Sequence, residues 1–286
     1  MTAPSSPLLV FSHGNSFGAS TYGVMLQALR ARGFQIAAIE KFGHDARYPV
    51  TSNWPHLVQQ LADFATEQAQ TAGQGVFLVG HSLGGFLSLM CAARHPQLGG
   101  HDVRGVVMLD SPLLGGWKAA ALSVVKRARL VGSVSPGAVS RKRKQAWHNV
   151  EEVHAHFASK KIFASWDPRV LHDYVNHGTR EAGSEDAKHT GQRVLSFDRD
   201  VETAIYNALP HNLEALLARH PLSCPASFIG ATHSLEMRQV GQALTQRITQ
   251  GRMMTLDGSH LFPMEKPETA AAAIEASLLN LMSLGR

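Results

Sequence analysis

Val76-Phe77-Leu78-Val79-Gly80-His81-Ser82-Leu83-Gly84-Gly85 is the stretch on which the fold turns. Four apolar residues in a row, without polar alternation, mark a strand covered on both faces, as in a parallel sheet. They run into Gly-x-Ser-x-Gly at 80–84, and a helical pattern follows from Leu83 to Arg94, stopped at His95-Pro96. A serine on a sharp turn between strand and helix stands clear of the sheet, and the helix N-terminus points at any negative charge that develops there. The pentapeptide alone is a weak signal, since Gly and Ser are common in loops. The strand before it and the helix after it supply the context that makes Ser82 a candidate nucleophile.

Outward from this unit the same rhythm repeats. Leu8 to Phe11 reads as a first strand ending at Ser12-His13-Gly14-Asn15, and a helix follows from about Thr21 to Arg32, closed by Gly33. Phe34 to Ile39 makes a second strand. Asn53 is placed to cap a helix with Pro55 in its first turn, running to about Gln70. Gly105 to Leu109 is a strand ending in Asp110. Ala226 to Ile229 and Arg252 to Leu256 are two more, separated by one helix from about Leu235 to Gln250, and an Ala-rich helix starts near Pro267. Strands alternating with helices predict an α/β architecture: a mostly parallel sheet of about six strands with helices on both faces. From Gly115 to about Arg219 the rhythm stops and only helical patterns are visible. The expected organisation is one discontinuous core, 1–116 and 220–286, with a helical insertion over 117–219.

Composition narrows the class. Ordinary apolar content, 44% of 286 residues, excludes a disordered, collagen-like or coiled-coil chain. No run of about 18 apolar residues occurs, so no transmembrane helix is expected, and the start MTAPSSPLLVF lacks the basic and apolar regions of a signal peptide. Two cysteines, Cys91 and Cys224, make no disulfide framework and fit a reducing cytoplasm. The net charge of +5 is unevenly spread. Residues 117–161 carry ten Lys/Arg against Glu151 and Glu152, which leaves the remainder at −3. A uniformly basic, nucleic-acid-binding protein is thereby disfavoured, and no aromatics interleave with the basic run to stack bases.

A serine hydroxyl needs a base within hydrogen-bond reach. Of 16 histidines, His260 is the best placed, just past the last strand in a Gly-Ser loop where parallel strand ends converge. His81 is too constrained inside the turn to serve as that base. The third member should be a carboxylate that holds the imidazole tautomer. After Ile229 the expected acid is absent from Gly230-Ala231-Thr232-His233, whereas Val106-Val107-Met108-Leu109 ends directly in Asp110. Asp110 is therefore chosen, with Glu236 and Asp257 as alternatives, Asp257 reading better as a turn residue before Gly258. The oxyanion donors expected are the amides of Leu83, next to the nucleophile, and Asn15 in the loop after the first strand, with Ser16 the next choice. His13, Gly14, Ser16 and His81 are supporting residues.

With these residues in place the chain resembles the α/β-hydrolase fold superfamily over about 1–116 and 220–286, through SHGN, GHSLGG and GSHLFPMEKP. Stretches such as GHDARYPVTSNWPHL and FASWDPRVLHDYVNHG are similar to those of a group of bacterial α/β hydrolases. The resemblance implies a Ser-His-acid hydrolase with a helical cap over its site. Two departures stand out. The usual antiparallel hairpin ahead of the His-Gly loop is missing, and the acid stands after the earlier strand, an arrangement similar to that of polyketide-type thioesterases.

Cleavage of a carboxylic ester or thioester through an acyl-serine is the leading expectation. Carbon–carbon bond hydrolysis on the same triad, or a binding or signalling protein that keeps the scaffold, are the alternatives. No cofactor is expected. His154-Ala155-His156 has no further ligands at suitable spacing, so no metal is expected either. Within the insertion, Arg141-Lys142-Arg143-Lys144 reads as a solvated face or loop, or as an attractant for an acidic ligand: a CoA phosphate, an acidic carrier protein or an anionic lipid surface. Trp117, Trp147, Phe157, Phe163 and Trp166 read equally as an acyl pocket or as the insertion's own core.

Overall fold

In a computed structural model of the chain, residues 6–113, 115 and 143–284 are described. Trp117, Arg141, Lys142 and the expected boundary at 116/117 lie outside them. The elements in order are β1 Leu8–Ser12, α1 Gly23–Ala31, β2 Gln35–Ala38, α2 Pro55–Ala72, β3 Val76–His81, α3 Leu83–Arg94, β4 Gln97–Leu98 and β5 His101–Leu109. Then come β6 Ala146–Trp147, α4 Val150–Ala158, α5 Pro168–His177, β7 Thr179–Glu181, β8 Arg193–Leu195, α6 Arg199–Asn207 and α7 Leu213–Arg219. The chain ends with β9 Ala226–Ala231, α8 Leu235–Val240, α9 Ala243–Thr249, β10 Met253–Leu256, α10 Phe262–Glu265 and α11 Pro267–Leu284.

Six strands pair in parallel in the order β10-β9-β5-β3-β1-β2, and two-residue β4 joins the start of β5 antiparallel. The continuous apolar runs have the expected consequence. In β1, Leu8 and Val10 face one core with Leu78 and Val106, while Leu9 and Phe11 face a second with Phe77, Val79 and Val107. Helices α2, α3 and α7 cover the first core, and α1 and α11 the second. At about 25 cal/mol per Å² of apolar area, burial on both faces is the main favourable term for such a sheet. Because all six strands run the same way, Ser12, His81, Leu109, Ala231 and Leu256 end along one edge. Among the described residues no helix is long and apolar enough to cross a membrane.

Three features differ from expectation. Residues 143–219 are not purely helical, for β6, β8 and β7 form a small antiparallel sheet. Strands of two and three residues are too short to show a period of two, which is why the sequence pattern conceals them. Asn53 does not cap α2. It adopts φ 65°, Trp54 follows at φ 54° as the capping residue, and Asn53 Oδ1 accepts the His211 amide at 2.9 Å. With the Trp54 indole donating to the Ile205 carbonyl at 3.1 Å, this loop ties the core to α6.

The single helix expected over 235–250 is broken. Gly241 sits at φ 84°, ψ 178° and separates α8 from α9. The break decides the sign of a substitution. In a continuous helix Gly241→Ala would stabilise by about 1 kcal/mol. At this left-handed angle, with open space around it, alanine suffers backbone strain instead. Urea denaturation of Gly241→Ala should show a loss of about 1–2 kcal/mol. A gain would restore the uninterrupted helix.

Candidate active site

The turn carrying Ser82 is built by close backbone approach. A Cβ on Gly80 would overlap the Gly84 carbonyl, and one on Gly84 would overlap the carbonyl of Ser12 in β1. Glycine at both positions lets α3 start directly against the sheet, and Ser82 takes φ 51°, ψ −116° as the cost of that turn. Its amide donates to the Leu109 carbonyl at 2.9 Å, and its carbonyl accepts the Ser111 hydroxyl at 2.8 Å. The serine is thus pinned from both sides by the end of β5.

The structure brings the three expected side chains together. Ser82 Oγ lies 3.1 Å from His260 Nε2, and His260 Nδ1 lies 2.6 Å from Asp110 Oδ2. Asp110 is fully buried at φ 43°, and its Oδ1 accepts the Ala231 amide at 3.2 Å. A carboxylate oxygen on Nδ1 sets that nitrogen as the N–H and leaves the Nε2 lone pair facing the serine. The His260 loop is braced from the helix that follows it. Glu265 reaches back to accept the Ser259 amide at 3.0 Å and its hydroxyl at 2.5 Å.

Of the alternative acids, Asp257 is exposed and engages Lys266 at 2.5 Å, away from the imidazole. Glu236 comes nearer. Its Oε2 is 3.7 Å from His260 Nδ1, with the side chain 46% exposed. The region after β9 does therefore present an acid, five positions past the strand end, where the first turn of α8 points back toward the site. Its longer distance and solvent exposure make it the weaker partner by a wide margin.

The expected oxyanion donors are Asn15, in the loop after β1, and Leu83, next to Ser82. Leu83 opens α3, and among the described residues neither its amide nor that of Asn15 donates to a protein acceptor. The supporting histidines are buried and fully bonded. Phe42 N–H donates to His13 Nε2 at 2.9 Å, which makes Nδ1 the donor to the Gly14 carbonyl at 2.8 Å. His81 Nε2 donates to the His260 carbonyl at 2.8 Å, and its Nδ1 takes the Tyr22 hydroxyl at 2.8 Å. Tyr22 in turn accepts the Gly14 amide at 2.9 Å. A hydrogen-bonded chain thus links the loop after β1 to the backbone of His260.

Sequence reasoning missed the other side of that loop. Asn15 Nδ2 donates to the Glu202 carbonyl at 3.1 Å, and Ser16 Oγ donates to Glu202 Oε1 at 2.5 Å. Glu202 is 4% exposed and is held by Arg143 at 2.9 Å. Arg143 is therefore no solvated or ligand-seeking cation, despite standing in the basic run, and only its Glu202 partner 59 positions away could have signalled this. Trp147, Phe157, Phe163 and Trp166 are buried against one another and Tyr174, so they form the core of the inserted segment, with Phe17 packed on its edge. Among the described residues the sole cluster of metal-capable groups is Asp110, Glu236 and His260 itself.

With this geometry in hand, comparison with known proteins is direct. The sequence model of the alpha/beta hydrolase family matches residues 9–273. The chain belongs to that family. A putative non-heme haloperoxidase of Mycobacterium phage D29 is 25% identical over 277 residues, 96% of this chain and 88% of the relative. Among solved structures, E-2-(acetamidomethylene)succinate hydrolase superposes with a TM-score of 0.68 at 21% identity, covering 95% and 91% of the two chains. A thioesterase domain from the curacin biosynthetic pathway gives 0.69 at 17% identity, covering 96% and 92%. These two likenesses are of fold.

Burial pushes the His13 pKa from 6.5 down to about 4 and lowers that of His81 well below its usual value. The neutral ring fits its bonding too, since a proton on His13 Nε2 would set two donors against each other at the Phe42 amide. Between pH 6.5 and 4 the unfolded chain binds the His13 proton and the folded chain does not. Stability therefore falls as the pH drops through that window and is independent of this group above it. Urea unfolding should show a loss of about 3 kcal/mol from His13 alone across the window, and His13→Gln should flatten the slope. A wild-type profile already flat from pH 6.5 to 4.5 would contradict the neutral, doubly bonded ring.

Proposed function

We propose that this member of the family is a serine hydrolase that cleaves a carboxylic ester or thioester through an acyl-Ser82 intermediate. One observation carries the reading: the unbroken line Ser82 Oγ, His260, Asp110 at 3.1 and 2.6 Å. A hydroxyl in hydrogen-bond contact with an imidazole that is itself oriented by a buried carboxylate is a nucleophile with its base in place.

Ser82 Oγ attacks the carbonyl carbon while its proton passes to His260 Nε2. The oxyanion accepts the Leu83 and Asn15 amides, with the N-terminus of α3 adding its positive field. Collapse expels the alcohol or thiol, which takes the proton from His260 and leaves Ser82 acylated. Water then gives a proton to His260 Nε2 and attacks the ester carbon. A second collapse returns that proton to Ser82 Oγ and releases the acid. Asp110 stays ionised throughout and stabilises the imidazolium.

In this reading residues 1–116 and 220–286 are the catalytic core and 117–219 a cap that selects the acyl group, with a small-molecule substrate and no metal or cofactor. Because Arg143 is committed to Glu202, the remaining lysines and arginines of 117–161 are the groups left to attract an anionic carrier such as CoA. Two buried, unpaired thiols support a cytoplasmic location.

The experiment is a panel of short p-nitrophenyl esters and acyl-CoA thioesters, with labelling by a fluorophosphonate probe. Wild type should turn over at least one member and be labelled at Ser82, and Ser82→Ala should do neither. Asp110→Asn should lose on the order of 10³–10⁴ in kcat, while Glu236→Gln should stay within a few-fold of wild type. The reverse ranking would move the acid to Glu236, and turnover that survives Ser82→Ala would remove the serine from the mechanism.

A further inference from the structure

The Arg143–Glu202 pair is the most buried arginine–carboxylate pair among the described residues, at 21% and 5% side-chain exposure. Arg143 Nη1 reaches both carboxylate oxygens, at 3.0 and 2.9 Å, and Nη2 donates to the Tyr174 hydroxyl at 2.9 Å. Burial works against the Arg143 charge, but Tyr174 and Glu202 outweigh it and hold the guanidinium above its usual pKa. Desolvating two charges usually cancels most of what their attraction returns, so such a pair contributes little net stability. What it does contribute is position, since Nη1 spans both carboxylate oxygens while Nη2 is anchored on the Tyr174 hydroxyl.

That fixed carboxylate faces the loop after β1. Glu202 Oε1 accepts the Ser16 hydroxyl at 2.5 Å, and the Glu202 carbonyl accepts Asn15 Nδ2 at 3.1 Å. Asn15 Oδ1 takes the Ser16 amide at 3.1 Å, which turns the peptide between them, and Ser16 is held at φ 78°, a left-handed angle that a serine adopts only when its surroundings insist. Asn15, whose own amide is unpartnered, and Ser16 after it are thus both held by one acid from α6, which lies 187 positions from Asn15 in the chain.

We propose that Glu202 is a positioning residue for the oxyanion loop. It fixes the direction of the Asn15 amide through Ser16 and the Asn15 side chain, with Arg143 fixing Glu202. The role rests on the acyl-serine reading above. It also makes the reacting site depend on α6 and the strand-poor stretch at 143–145 being docked, so the inserted segment completes the site as well as covering it. An oxyanion donor must lie within about 0.5 Å of its productive place. Small rotations at Ser16 therefore act on the transition state and leave ground-state binding untouched.

The test is Glu202→Gln, which keeps an oxygen for Ser16 and loses the charge that grips Arg143. Expected is a drop of about 10- to 100-fold in kcat, a fraction of what a lost oxyanion donor costs, with KM within twofold. Affinity for an arylboronic acid, which forms a tetrahedral adduct on Ser82, should fall by a similar factor, and Arg143→Lys should lie between wild type and Glu202→Gln. Circular dichroism melts check that each variant is folded. If Glu202→Gln does not fold, Ser16→Ala removes a single bond of the network and should show the same split between kcat and KM. A folded Glu202→Gln with wild-type kcat, or with boronate affinity unchanged, overturns the proposal while Ser82-dependent turnover leaves the hydrolase reading intact. A wild type that neither turns over the panel nor takes the fluorophosphonate overturns both.

Discussion

A carboxylate with no solvent exposure, bonded to an imidazole at 2.6 Å, is the constraint around which this molecule is arranged. An isolated charge at that depth would cost several kcal/mol, so Asp110 is tolerable only while both its oxygens are engaged. One takes the His260 ring and the other the Ala231 amide. Those partners come from the loop after β10 and the end of β9, so the acid forces two strand ends and a loop to meet at one point. The positive φ at Asp110, and the bond from its own amide to the Ile229 carbonyl, keep β5 and β9 in register as the acid turns into the site. Geometry at the serine follows, because Leu109, one residue earlier, holds the Ser82 amide.

The parallel core was legible because its physics is local. A strand buried on both faces must be apolar at every position, and Leu8–Phe11, Phe77–Val79 and Val106–Leu109 are. The turn at 80–84 was legible because two backbones cannot pass so closely unless glycine stands at both ends. Asp110 could be read for a related reason, as an acid that directly ends such a strand has nowhere to go except the crevice. What escaped is what depends on distant partners. Asn53 looks like a helix cap, but His211 from the inserted segment claims its oxygen. The stretch 235–250 has the composition of one helix, and only the angle at Gly241 divides it.

Charge arithmetic misleads here in an instructive way. Residues 117–161 hold a +8 excess, yet Arg143, from the middle of the densest run, spends its charge inside the protein. Composition counts charges and is silent about their partners. The acid that matters, Glu202, belongs to an otherwise unremarked helix and is separated from Arg143 by 59 residues. Trp147, Phe157, Phe163 and Trp166 show the converse. As side chains they could have lined a pocket, but their mutual packing and near-complete burial commit them to holding the segment together, and they share one continuous core with the sheet face that carries α1 and α11.

Two independent sets of bonds therefore converge on Gly14, Asn15 and Ser16. From the sheet side the Gly14 amide is tied through Tyr22 and His81 to the carbonyl of His260. From the inserted segment Asn15 and Ser16 are tied through Glu202 to Arg143. The first chain uses only neutral groups deep in the core, where burial holds His81 unprotonated, so it is insensitive to pH near neutrality. The second ends in a charged pair that is closed only when 143–145 and α6 are both seated. The two grips differ in chemistry: neutral hydrogen bonds within the sheet side on one hand, and on the other a desolvated ion pair whose two members stand 59 positions apart.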